Sequence, residues 1–183
     1  FLGIMKKIYF FLLTVFITVL AKEENPLAHG FGDDIEWANW ENALELAKEQ
    51  NKPIFLLIHK TWCGACKALK KNLKDSKKRP RFVELSKKFI MVNLEDDDEP
   101  DDERYAPDGA YIPRLFFLDK SGDPLAVDNK KNYPNNAYYF PQISDVIKAM
   151  EKGEAILLEE KSLRGGNITK GKVPEGGNCR TDF

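Results

Sequence analysis

Histidine, cysteine and net charge are all scarce here: 183 residues carry two His, three Cys and a formal charge of −1. A zinc site built on a C-x-x-C pair needs two further ligands, and Cys179, His29 and His59 form no second pair to supply them. Three cysteines are also too few for a scaffold stapled by disulfides. With 43% hydrophobic residues, a chain of this length sustains a core of its own. Charge so near zero gives no footing for nucleic acid as a partner. No apolar run reaches the roughly 18 residues that a membrane-spanning helix needs.

What is present begins at the start. The stretch "MKKIYFFLLTVFITVLA", residues 5–21, joins Lys6 and Lys7 to a mostly apolar run from Ile8 to Leu20, with small Val19 and Ala21 where a signal peptidase reads. Residues 1–21 are read as a signal peptide cleaved after Ala21, with residues 1–4 as upstream translation. No stable membrane anchor then remains, and the mature chain enters an oxidising compartment. Residues 22–161 are read as one domain and 162–183, rich in glycine, as a flexible tail.

Periodicity orders the domain. Trp40, Ala43, Leu44 and Ala47 predict a helix closed before Pro53, and the apolar run Ile54–Ile58 predicts a central strand. From Cys63 the pattern turns helical, with Cys66, Leu69 and Leu73 on one face and Lys67, Lys70, Lys71 and Lys74 on the other. That helix should break before Pro80, with a further turn or two in "RFVELSKK". Residues 89–94, "FIMVNL", predict a second strand. It runs into "EDDDEPDDE", eight acids in nine residues, which predicts a solvated loop and lacks the ligand spacing of a calcium-binding loop. A strand at Arg114–Leu118, a turn at Asp119–Gly122 and a second strand predict a hairpin; Ile143, Val146, Ile147 and Met150 predict a last helix. The order implies an α/β fold, a mixed central β-sheet with helices on both faces. Trp37 and Trp40 are assigned to packing.

The chemistry concentrates in "KTWCGACKALKK", residues 60–71. Cys63 falls at a helix N-terminus, where free N–H groups and the helix dipole favour an anion, so it is the candidate nucleophile. Cys66, about one turn on and facing the core, is placed to attack a mixed disulfide formed on Cys63. A purely structural bridge between residues three apart would remove little unfolded-state entropy. Small Gly64 and Ala65 allow another protein's backbone to approach, and Trp62 offers an apolar platform.

The string "WCGACK" after a buried strand, followed by "YIPR", resembles the thioredoxin superfamily. The wider context "HGFGDDIEW", "FIMVNLEDDDEP" and "PDGAYIPRLFFLD" resembles a branch of small endoplasmic-reticulum thiol-disulfide oxidoreductases related to the anterior gradient proteins, over residues 29–160. The resemblance implies a thioredoxin-like fold in which a cis Pro113 faces the cysteines and the Ile112 backbone pairs with a client strand. It implies protein clients with cysteines or disulfides, no cofactor, glutathione as redox partner, a monomer, and the endoplasmic-reticulum lumen.

Three departures limit the transfer. The buried acid that many relatives carry six residues before the first cysteine is replaced by Leu57, so proton transfer from Cys66 falls to water, His59 or Lys60. His59 also reads as a satisfied, half-buried histidine at the strand end. The Gly-Ala dipeptide lacks the histidine of strong oxidants, and "CRTDF" is not a K-D-E-L-like ending, which leaves secretion open. Asn167 heads an N-glycosylation acceptor, and Cys179 is a free thiol or an intermolecular partner. The rival function is a redox-silent chaperone or adaptor that holds clients in the groove beside Pro113.

Overall fold

The computed structural model describes residues 24–166. The segment read as a signal peptide, Asn167, Cys179 and residues 167–183 of the expected tail lie outside the described residues. The elements are β1 (Trp37–Ala38), α1 (Trp40–Gln50), β2 (Ile54–His59), α2 (Gly64–Asp75), α3 (Arg79–Ser86), β3 (Ile90–Glu95), β4 (Arg114–Leu118) and α4 (Ile143–Gly166). The last helix thus runs on past residue 161. None of the described helices is long and apolar enough to cross a membrane.

The sheet has the order β1-β3-β2-β4, with β1 and β2 parallel to β3 and β4 antiparallel to β2. All six residues of β2 are buried, as a continuous apolar run in a two-sided sheet requires. Alternation divides them. Phe55 and Leu57 join Leu69 and Leu73 of α2, Phe82 of α3 and Val146 and Met150 of α4 in one core, while Ile54, Leu56 and Ile58 join Ala43 and Ala47 of α1 in the other. Each fully buried Leu or Phe contributes about 1.5–3 kcal/mol of transfer free energy, so the strand that leads into the cysteine turn is firmly anchored on both faces. Trp37 packs edge-to-face on Phe31 and Phe55 and donates from Nε1 to the Gly32 carbonyl at 3.0 Å. Trp40 packs against Tyr105.

Two expectations need correction. The hairpin turn forms, with Gly122 N–H donating to Asp119 O at 3.1 Å, but its second strand reduces to one bridge, Leu118 with Pro124. Proline has no N–H to extend the ladder, and at Leu115 the outer edge of β4 is taken by the Tyr138 carbonyl, 2.9 Å away. The acidic run does stay at the surface, with none of residues 95–103 buried, but it is more ordered than a plain loop. It folds into short 3-10 turns at Asp96–Asp98 and Glu103–Tyr105, and Glu99 pairs with the buried Arg114. Pro80 falls in the first turn of α3, where its missing N–H costs no helical bond.

Candidate functional site

β2 ends at His59, and a tight turn in which Cys63 N–H donates to Lys60 O at 3.2 Å delivers Cys63 to the N-cap of α2. A capping side chain normally offers oxygen; here the Cys63 sulfur accepts the Cys66 N–H at 3.1 Å. Such a donor stabilises negative charge on Sγ. Both cysteines are free thiols, Cys63 7% exposed and Cys66 1% exposed. Burial, then the hydrogen bond and charge of Cys63, push the Cys66 thiol up to about 12. Cys66 is therefore the less accessible thiol and the one that burial keeps protonated.

Trp62 is 73% exposed at the lip of the site, and a side chain added at Gly64 would meet only open space. Opposite the pair, the Ile112–Pro113 peptide bond is cis, and the Cys63 thiol points to the Ile112 carbonyl at 3.8 Å. Trp62, Gly64, Ala65, Ile112 and Pro113 thus come together around Cys63, with Ala65 and Ile112 partly exposed.

Leu57 is fully buried in the core and pairs in register with Asn93 of β3. His59 differs from the expected satisfied, half-buried residue: it is 1% exposed, and neither ring nitrogen has a hydrogen-bond partner among the described residues. Its ring packs edge-to-face on Phe31, with centroids 4.9 Å apart. Burial first, and then the positive charge of Lys70, push His59 down to about 4, with the Asn93 amide beside it opposing. Glu95 lies 3.7 Å from His59 Nδ1, beyond hydrogen-bond reach, and is held by His29 at 3.1 Å. Lys60 points away from the thiols, its ammonium 3.0 Å from Glu99 and bonded to the Asp96 carbonyl.

Sequence reasoning did not reach two other neighbourhoods. Tyr139 stands close enough to the pair that burial, Tyr133 and the charges of Cys63 and Cys66 all raise its phenol, and its ring meets Tyr133 edge-to-face at 4.9 Å. Asp96 and Glu99 reach back to Thr61 and Arg114. The signal for both is tertiary, since Cys63 and Cys66 lie far before Tyr139 in the chain, and Thr61 and Arg114 lie more than ten residues from Asp96 and Glu99.

A thioredoxin-like family model matches residues 36–120. Anterior gradient protein 3 of Xenopus tropicalis is 36% identical over 137 residues, covering 73% of this chain and 80% of that protein. Anterior gradient protein 2 of Xenopus laevis is 36% identical over 147 residues, with 78% and 76% covered, and human anterior gradient protein 3 is 33% identical over 147 residues, with 77% and 86% covered. Among solved structures, a DsbH oxidoreductase superposes with a TM-score of 0.40 at 23% identity, over 58% of this chain and 78% of that one. With a thioredoxin-like fold and relatives at this identity and coverage, the chain belongs to the anterior gradient protein family.

Proposed function

We propose that the chain is a protein-disulfide oxidoreductase of the secretory-pathway lumen. The observation that carries this reading is the Cys63 sulfur at the N-cap of α2, accepting the Cys66 N–H at 3.1 Å with the second thiol buried directly behind it. The Cys63 thiolate attacks one sulfur of a client disulfide, which forms a mixed disulfide and releases the other client sulfur as a thiolate. The Cys66 sulfur, once deprotonated, attacks Cys63 Sγ and expels the second client thiolate, leaving a Cys63–Cys66 disulfide. Two glutathione molecules restore the dithiol and leave as one glutathione disulfide, and the same steps run in reverse oxidise clients. Because burial and Cys63 raise the Cys66 thiol, its deprotonation is the slow part of release; with His59 pushed down to about 4 and the Lys60 ammonium held by Glu99, a water takes that proton. Trp62, Gly64, Ala65 and the Ile112–Pro113 edge hold the client backbone.

Turnover tests the reading. With glutathione as reductant, the parent chain is expected to reduce insulin disulfides well above the glutathione background, and Cys63→Ala only at that background. A redox-silent client binder would leave the parent at background as well.

A further inference from the structure

Carboxylates of the acidic segment are tied into both halves of the cysteine site. Asp96, with left-handed backbone at φ 53, accepts the Thr61 N–H and the Thr61 hydroxyl, each at 2.8 Å. Three residues on, one oxygen of Glu99 lies 3.0 Å from Lys60 Nζ and the other accepts from Arg114 Nη2. Arg114 is 1% exposed, and its Nη1 donates to the Tyr111 carbonyl at 2.7 Å. Lys60 and Thr61 lead directly into Trp62 and Cys63, whereas Tyr111 and Arg114 bracket Ile112 and Pro113. A continuous chain of charged contacts therefore crosses from the cysteine turn to the edge that faces it.

We propose that Glu99 is a positioning residue for the thiol-disulfide exchange inferred above, setting the gap between Cys63 and the Ile112 edge by joining Lys60 on one side to Arg114 on the other. The sign of the charges explains why a carboxylate is needed. Lys60 and Arg114 repel each other, and the anion between them turns that repulsion into a clamp. Burial alone would raise the Glu99 carboxyl, but the hydrogen bonds and charges of Lys60 and Arg114 outweigh it and hold it below its ordinary value, so the clamp is charged at neutral pH. Glu99 touches neither thiol, so its loss should loosen the grip on an extended client and leave the intrinsic reactivity of Cys63 alone. A small disulfide that does not bridge the gap should not register the change.

The test uses the full chain, its Glu99→Gln variant, a quenched fluorescent peptide with one internal disulfide, and glutathione disulfide as the small probe. In Glu99→Gln the peptide KM should rise about tenfold with kcat within about twofold of the parent, and the rate with glutathione disulfide should change less than about twofold. Amide hydrogen exchange across residues 111–115 should quicken by about tenfold, whether or not the chain turns over disulfides. Asp96→Gly, which suits the left-handed backbone and removes both Thr61 contacts, should raise the peptide KM by about threefold and covers the case in which Glu99→Gln does not fold. A peptide KM within about twofold of the parent, or peptide and glutathione rates that fall together, would overturn the assignment. If the parent exchanges disulfides with neither probe, the thiol-exchange reading fails, and unchanged amide exchange at 111–115 in Glu99→Gln overturns the clamp separately.

Discussion

Cys66→Ala is expected to accumulate covalent complexes with client proteins, and Cys63→Ala to trap almost none. Client release requires a second sulfur to attack the mixed disulfide on Cys63, and Cys66 is the thiol directly behind it. Without that sulfur, release depends on free glutathione and slows by at least about tenfold, because an intramolecular attack becomes a bimolecular one. In the opposite variant the remaining thiol, 1% exposed in the parent, keeps the burial that is the largest cause raising it, so little of it is both accessible and ionised at neutral pH. Neither change removes enough apolar volume to unfold the chain. A non-reducing gel of alkylated lysates reads the result, with loss of the high-mass bands under reductant as control. Equal trapping by the two variants, or stronger trapping by Cys63→Ala, would reverse the assignment of nucleophile and resolver.

Acid should unfold the parent through His59. Its folded value of about 4 lies below the ordinary 6.5, so between these two pH values the unfolded chain takes up a proton that the folded chain refuses. Stability that is full above pH 6.5 is therefore lost progressively as pH falls towards 4, by about 3 kcal/mol in all. Of the groups facing the ring, Lys70 and His29 act in the same direction as burial, Asn93 and Asp96 oppose it without outweighing it, and Glu95 stands 3.7 Å away. His59→Leu should lose that part of the pH dependence, because an apolar side chain of similar size needs no partner in a site that leaves both ring nitrogens unbonded. Urea unfolding at pH 7 and pH 4.5 measures it. Carboxylates titrate in both proteins, so the difference between parent and variant isolates His59; parallel losses in the two would refute the claim.

The parts of the fold legible from sequence are those fixed by local chemistry. β2 and β3 declare themselves as apolar runs bounded by polar residues, and the spacing of Cys66, Leu69 and Leu73 places one face of α2 on the core. The two-residue β1 is too short to leave a period, and its pairing with Met91 and Val92 depends on β3 being in place. In the acidic run, charge density alone predicts a solvated loop, and the cations that answer it are distant in the chain, Lys60 before it and Arg114 after it. At the second hairpin strand, the turn at Asp119–Gly122 predicts a ladder, whereas Asp119 Oδ1 accepts the Ser121 and Asp123 N–H groups and Tyr138 occupies the strand edge. Of the candidate site, the cysteine pair was legible from its spacing and the opposing proline only through the family resemblance; Tyr139, Asp96 and Glu99 were not, since only the folded chain brings them to it.

The most direct test of the central claim is a redox titration of the Cys63/Cys66 couple in glutathione buffers, quenched with acid, alkylated and read by mass. The Gly64-Ala65 pair adds no positive charge beside a thiolate already favoured by the helix end and the Cys66 N–H. The account predicts a single two-electron transition with a midpoint between roughly −270 and −180 mV, between thioredoxin and the disulfide isomerase. A pair that shows no glutathione-dependent transition, or one with a midpoint near about −120 mV, the value of a strong oxidant, would contradict it.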